Sequence, residues 1–169
     1  EFAKKINSAV FPGTQGGPLE HVIAAKAICL KEAASDEFKT YAANVVTNAK
    51  AMAEGLLSEG FDLITGGTDN HLMLADLRPM NITGKDLQIR CDENHITLNK
   101  NAIPGDPEKP SITSGVRVGT AAATTRGLGA EEMKQIAHCV ALTARDFEGT
   151  AKEVKDTVAA ICEKFPMYK

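Results

Sequence analysis

The sequence contains no tryptophan, and aromatic residues make up only 5% of its 169 residues. It also lacks a large excess of either charge, since the formal net charge at pH 7 is −3. Binding to nucleic acid or to an anionic membrane surface needs clustered basic charge, so this balance argues against both. No apolar run approaches the roughly 20 residues of a membrane span, and no signal-peptide pattern opens the chain. We therefore expect no nucleic-acid and no membrane partner.

Cysteine pairs at metal-binding spacing are missing as well. Cys29, Cys91, Cys139 and Cys162 are widely separated, and no C-x-x-C motif or zinc-finger spacing of Cys and His occurs. This pattern predicts reduced cysteines, a cytoplasmic location and no metal site. Hydrophobic residues at 43% and charged residues at 24% are typical of a globular protein with a hydrophobic core.

The spacing of apolar residues predicts two helices, a hairpin, a helix, two strands and two final helices. Because helices and strands do not alternate strictly, we expect an α+β fold with helices on one face of a small, mainly antiparallel sheet. A capping box at Thr83 and Asp86 predicts one helix start, and a second at Thr150 and Glu153 predicts the start of the last helix. The predicted strands are 61–65, 71–77, 96–99 and 114–120.

The first thirty or so residues fit poorly into this small domain. Residues 9–18 are rich in glycine and proline and predict a loop, and Pro18 suits the first position of the helix that follows. On that helix Leu19, Val22, Ile23, Ala27 and Leu30 share one face. We expect a boundary that separates residues 1–34, as the end of another domain with a connecting helix, from residues 35–169.

Arg117 is the first candidate binding residue, because it lies in a short strand between Gly115 and Gly119. Its guanidinium can bind both oxygens of a carboxylate, and the flanking glycines would let a ligand approach the backbone. The alternative is an ion pair with an internal acid, and the segment alone does not decide between them. Arg126 could support Arg117 or pair with an acid of its own.

Gly16 and Gly17 form the second candidate, because they precede a predicted helix whose free N–H groups could bind an anion. A plain loop is the alternative, since the pattern is not a full phosphate-binding fingerprint. Asn101, before a proline-rich loop, could read the edge of an amide or heterocycle, or could simply form a turn. We find no nucleophile triad and no pair of carboxylates placed for acid–base chemistry.

Four segments together resemble one family. Residues 7–18 (NSAVFPGTQGGP), 66–71 (GGTDNH), 99–107 (NKNAIPGDP) and 114–120 (SGVRVGT) resemble the corresponding motifs of serine hydroxymethyltransferase, in the same order and spacing. The likeness runs from about Ile6 to Tyr168. Family members are pyridoxal-phosphate enzymes of the aminotransferase-like fold that interconvert serine and glycine and transfer a one-carbon unit to tetrahydrofolate.

The resemblance implies a role for each candidate. Arg117 corresponds to the arginine that binds the substrate carboxylate. Gly16 and Gly17 correspond to the pair that binds the cofactor phosphate of the partner subunit, which implies a homodimer or higher oligomer. Phe11 and Asn101 correspond to residues of the folate site. Residues 1–34 would then be the end of the large cofactor domain, and residues 35–169 the C-terminal small domain.

One part of the family pattern is missing from these residues. The cofactor lysine of the family lies in a TTHKT segment, which the sequence does not contain, so we assign no catalytic residue and expect the isolated chain to be inactive. Ala121 also replaces the proline that many relatives have there. The alternative function is a stand-alone binding or regulatory domain of the same fold, without chemistry.

Overall fold

The structure is a computed structural model that describes residues 1–168. It contains two compact units, which divide after Lys39. This division falls near the predicted boundary between residues 34 and 35, although the assignment of residues 1–34 to another domain stays a prediction.

The first unit contains helices α1 (Ala3–Val10) and α2 (Glu20–Ala33) and the start of α3 (Asp36–Ser58). Helix α1 was not predicted, whereas α2 follows the loop as expected. None of residues 1–39 is buried. The apolar face predicted for α2 is therefore not covered: Leu19, for example, is 60% exposed and Leu30 70% exposed.

The second unit is built on a four-stranded sheet with the order β1-β2-β4-β3, in which every neighbouring pair is antiparallel. This confirms the α+β prediction, with helices packed on a small antiparallel sheet. The predicted hairpin forms, since Asp62 pairs with Asp76 across β1 and β2. The strands are β1 (Asp62–Leu63), β2 (Leu72–Asp76), β3 (Asn99–Asn101) and β4 (Gly115–Gly119).

Strand β3 begins later than predicted. His95 has a positive φ of 63°, and the Ile96 N–H donates to the Cys91 carbonyl oxygen at 2.8 Å. Residues 94–96 are therefore occupied in closing the preceding helix, and extended pairing begins only at Asn99.

The remaining elements include two short helices that the sequence did not reveal, the 3-10 turn at Arg78–Met80 and α5 (Ala121–Thr125). Thr83 caps α4 (Gly84–Glu93) as predicted, because its Oγ1 accepts from the Asp86 N–H at 3.1 Å. The last helix starts at Phe147 rather than at Thr150, since Asp146 Oδ1 accepts from the Gly149 N–H at 3.0 Å and serves as the cap. The helices are α4 (Gly84–Glu93), α5 (Ala121–Thr125), α6 (Ala130–Arg145) and α7 (Phe147–Lys164).

The core lies between one face of the sheet and helices α3, α4 and α6. Val116 and Val118 point into it from β4, and they pair with Ala75 and Met73 of β2. Burying a side chain of this size stabilises the fold by about 1.5–3 kcal/mol relative to leaving it exposed. Because side chains alternate along a strand, Gly115, Arg117 and Gly119 are directed to the opposite face.

Candidate functional site

The candidate site of the second unit is the outer face of the sheet, opposite the core. In the register of the sheet Arg117 pairs with Leu74 of β2 and Asn99 of β3, and Asn101 pairs with Gly115. Residues directly opposite each other share a face. Asn99, Asn101 and Arg117 therefore lie on this outer face, where the sequence alone placed them only in two separate segments.

Arg117 is exposed, and its guanidinium makes no ion pair or hydrogen bond within residues 1–168. The internal ion pair that the sequence left open therefore does not occur among these residues. An arginine side chain in this state keeps all five N–H donors available for an external anion. A carboxylate or a phosphate group fits the fork in two-point contact.

Arg126 follows neither of the two possibilities considered for it. Its Nε and Nη2 donate to the carbonyl oxygen of Phe165 at 3.0 and 2.6 Å. Phe165 is the C-cap of α7. Arg126 therefore satisfies the end of a helix and stabilises the fold locally.

The missing side chain of Gly115 leaves space that other residues of the protein fill, so no ligand can approach the backbone there. A Cβ built there would lie 2.5 Å from Cγ2 of Ile103 and 2.8 Å from the carbonyl oxygen of Ala75. The expectation that Gly115 opens the strand to a ligand is therefore wrong. At Gly119 a Cβ would make only ordinary contacts, the nearest at 3.5 Å.

Asn101 ends β3 and is half-buried. Its Nδ2 donates to the carbonyl oxygen of Ala102 at 2.8 Å, while Oδ1 has no partner within residues 1–168. The edge strand is held by helix α4, because the Lys100 N–H donates to Oε1 of Gln88 at 2.8 Å. The side-chain oxygen of Asn101 is thus presented on an anchored strand as a free acceptor.

Sequence reasoning missed Asp106, which ties the loop after β3 to the start of β4. Its Oδ2 accepts from the backbone N–H groups of Ile103 and Ser114 at 3.1 and 2.9 Å. An Asp among glycine and prolines is a common turn signal, so the sequence offered a hint of local bonding. Nothing in the sequence indicated that Asp106 contacts Ser114, which lies eight residues further along the chain.

The remaining candidates predicted from the sequence lie in the first unit. The amides of Gly16 and Gly17 have no hydrogen-bond partner in the described part of the chain, and a Cβ at either position would meet nothing within 4 Å. Phe11 is 65% exposed. Open backbone donors just before helix α2 have the chemistry that a phosphate group needs.

A cavity of about 710 Å³ in the second unit is lined by neither Arg117 nor Asn101. Its arginines already have partners within the protein. Arg78 pairs with Asp76, Arg90 donates to the Ala144 carbonyl oxygen at 3.4 Å, and Arg145 pairs with Glu59. The three arginines of this cavity are thus held by the fold, whereas the guanidinium of Arg117 is not.

The buried thiol of Cys91 offers no nucleophile to compete with this site, and the described residues form no metal cluster. Burial raises the pKa of Cys91 to about 12, with a smaller contribution from Asp92, so its thiol stays protonated at neutral pH. Within residues 1–168, no group of three or more His, Cys, Asp or Glu side chains is arranged to hold a metal ion. None of the described helices has the length and apolar character needed to span a bilayer.

A protein-family model described as serine hydroxymethyltransferase matches residues 1–140. The matched range covers most of the 169 residues and contains all five candidate positions. The chain belongs to the serine hydroxymethyltransferase family. The match confirms the resemblance that the four motifs indicated. The family consists of pyridoxal-phosphate-dependent transferases, so the function of this chain is related to that class.

Members of the serine hydroxymethyltransferase family generally bind pyridoxal phosphate and use tetrahydrofolate. The residues present fit the phosphate end of that cofactor, since Gly16 and Gly17 have unpaired amides and no side chain in the way. They also fit an amino-acid substrate, since Arg117 has an unpaired guanidinium. The lysine that binds the cofactor in the family has no counterpart among these residues.

Proposed function

We propose that this chain contributes the substrate-carboxylate, folate and phosphate contacts of a serine hydroxymethyltransferase, which interconverts serine and glycine with tetrahydrofolate as the one-carbon acceptor. The observation that carries the proposal is the unpaired, exposed guanidinium of Arg117 on the outer face of the sheet, in a chain of this family. A structural arginine would donate to an internal acid or carbonyl oxygen, as Arg78 and Arg126 do, and Arg117 has no such partner within residues 1–168.

In this proposal Arg117 binds the carboxylate of serine or glycine through two parallel N–H···O bonds, which fixes the orientation of the amino acid. Asn101 uses its free Oδ1 to accept a hydrogen bond from the folate, and Phe11 offers its ring as an apolar contact. Gly16 and Gly17 donate their backbone N–H groups to the cofactor phosphate, in a homodimer where that cofactor belongs to the partner subunit.

Pyridoxal phosphate supplies, when bound, an electron sink for the bond broken at the substrate α-carbon. The residues of this chain bind and orient; none of them is assigned a proton transfer. The substrates, the homodimer and the cytoplasmic location expected from reduced cysteines belong to the proposal.

The test uses an assembled enzyme, defined here as these 169 residues joined to a family segment that carries the TTHKT motif. Asn101→Ala is expected to raise the KM for folate while it leaves folate-independent cleavage of 3-hydroxy amino acids largely intact, because only the folate contact is lost. Both activities are measured on the same preparation. Equal losses in the two reactions would mean that Asn101 is structural and that the folate assignment is wrong.

A stand-alone binding domain predicts a different result. The 169-residue chain would then bind glycine or folate without any added segment, as measured by calorimetric titration. Under the enzyme proposal the isolated chain binds neither tightly and forms no stoichiometric adduct with added pyridoxal phosphate, as judged by borohydride reduction and mass mapping.

A further inference from the structure

The carboxylate of Asp106 accepts four hydrogen bonds inside the loop that joins β3 to β4. Oδ2 accepts from the N–H groups of Ile103 and Ser114 at 3.1 and 2.9 Å. Oδ1 accepts from the Glu108 N–H at 2.9 Å and from the Ser114 hydroxyl at 2.7 Å. All four donors belong to this loop, so one side chain closes a segment of more than ten residues on itself.

Two of the donor residues, Ile103 and Ser114, lie at the two ends of the loop, close to strands β3 and β4. Ile103 follows Asn101 by two residues, and Ser114 is the residue before β4, three positions ahead of Arg117. Asp106 therefore bonds to the backbone at both ends of the loop, directly beside the two strands that carry the folate and substrate candidates. The pairing of β3 with β4 already places Asn101 opposite Gly115, and the carboxylate of Asp106 ties the loop that leads from one of these strands to the other.

Packing against the sheet reinforces this bond pattern. Ile103 is 4% exposed, and its Cγ2 occupies the space that a Cβ at Gly115 would need. Ser114 is also buried, at 5% exposed. The loop is thus seated on β4 at one fixed position, and the absence of a side chain at Gly115 is required for that seating.

The carboxylate is charged under physiological conditions. Burial alone would raise the pKa of Asp106. The N–H and hydroxyl donors of Ser114 and the N–H groups of Glu108 and Ile103 outweigh this effect and hold the pKa well below the ordinary range of an aspartate. Hydrogen bonds to a charged acceptor are stronger than those between neutral groups. The loop is therefore held by the ionised form.

We propose that Asp106 is the positioning residue that holds Asn101 and Arg117 in a common arrangement on the outer face, without touching either ligand. The inference rests on the proposed function for the meaning of those two residues. It adds that both ligand contacts depend on one loop carboxylate, so that its loss weakens folate and amino-acid binding together.

The first experiment measures amide hydrogen exchange on the 169-residue chain. Asp106→Asn keeps the shape of the side chain but replaces one acceptor oxygen with a donor that faces N–H groups. We expect exchange in residues 99–105 and 113–117 to become faster by at least about tenfold, since hydrogen bonds to a charge are lost. Exchange in α6, which lies outside the loop, should not change.

Glu108→Gln is the matched control, because it neutralises a neighbouring carboxylate that has no partner within residues 1–168 and keeps the Glu108 N–H. Ser114→Ala is a milder variant that removes only the 2.7 Å hydroxyl bond and should give a smaller change of the same kind. Unchanged exchange in Asp106→Asn, or an equal loss of protection throughout the chain, would overturn the positioning role.

The second experiment measures serine affinity and the KM for folate in the assembled enzyme. Asp106→Asn is expected to weaken both by about tenfold, and Glu108→Gln neither. If Arg117→Ala and Asn101→Ala leave both values unchanged, the proposed function fails. If those variants weaken binding but Asp106→Asn does not, the proposed function stands and the positioning inference fails.

Discussion

Two arginines near the same sheet have opposite surroundings. Arg78, just after β2, donates to both carboxylate oxygens of Asp76, with its shortest contact at 2.6 Å, and that acid is 3% exposed. Arg117, in the middle of β4, has no internal acid within residues 1–168. The hydrogen bond from Arg78 holds the pKa of Asp76 below its usual range, against the opposing effect of burial. The comparison indicates that Arg78 serves the fold and that Arg117 is free to serve a ligand.

The largest effect is expected at Arg117. In the assembled enzyme Arg117→Ala should weaken serine binding by roughly thirty-fold to several-thousand-fold, which corresponds to about 2–5 kcal/mol for a carboxylate that loses its charged partner. Arg117→Lys keeps the charge but loses the two-point contact, so it should also bind more weakly than the parent. Spectral titration measures the affinity, and thermal melting serves as the control. Parent-like binding with much earlier melting would show that Arg117 is structural and would erase the contrast with Arg78.

The next largest effect is expected at Asp76 and concerns stability alone. Asp76→Ala removes the acceptor of Arg78 from the end of β2, and we expect a loss of about 1–3 kcal/mol in the free energy of unfolding. Denaturant unfolding of the 169-residue chain measures this, with Asp69→Ala in the exposed turn as the control variant. Serine affinity in the assembled enzyme should stay at the parent value. Weaker serine binding without any loss of stability would show that Asp76 and Arg78 serve the ligand rather than the fold, and would contradict the contrast with Arg117.

A smaller effect is expected where the acid of an arginine pair is more exposed, at Glu59 rather than Asp76. Arg145 Nη1 donates to Oε2 of Glu59 at 2.8 Å, and His138 Nδ1 lies 2.7 Å from Oε1. Solvent screens this cluster, so Glu59→Gln should cost about 0.2–1 kcal/mol at neutral pH. The resulting order of stability losses, Asp76 above Glu59 above Arg117, would sharpen the comparison.

The Glu59 cluster also predicts a pH dependence. The hydrogen bond from His138 is the largest influence that lowers the pKa of Glu59 in the folded state, with Arg145 acting in the same direction and burial opposing both. The folded state therefore binds the proton less tightly than the unfolded state. The stabilisation that Glu59 gives the folded state is therefore present above the pKa of about 4.3 that a glutamate has in the unfolded state. It is lost as pH falls through the lower pKa of Glu59 in the folded state. Denaturant unfolding at several pH values should show the gap between parent and Glu59→Gln shrinking below about pH 4. A constant gap would contradict this.

Local signals predicted the elements that depend on nearby residues. The hairpin of β1 and β2 follows from two short apolar runs around a glycine turn, and the start of α4 follows from Thr83 and Asp86. Predictions failed where a neighbour intervened. Strand β3 starts at Asn99 because residues 94–96 close α4, and α7 starts at Phe147 because Asp146 caps it before Thr150 can.

The sequence by itself determined the family, the α+β class and the candidate residues, because motif spacing and apolar periodicity are properties of the chain. Only the tertiary structure decided which arginine has a partner, because Arg117, Arg126 and Arg78 look alike until their neighbours are known. It also decided that Asn101 and Arg117 share one face and that Asp106 joins their strands. The physical reason is that pairing register and hydrogen bonds across a loop depend on distances in space, which position along the chain does not contain.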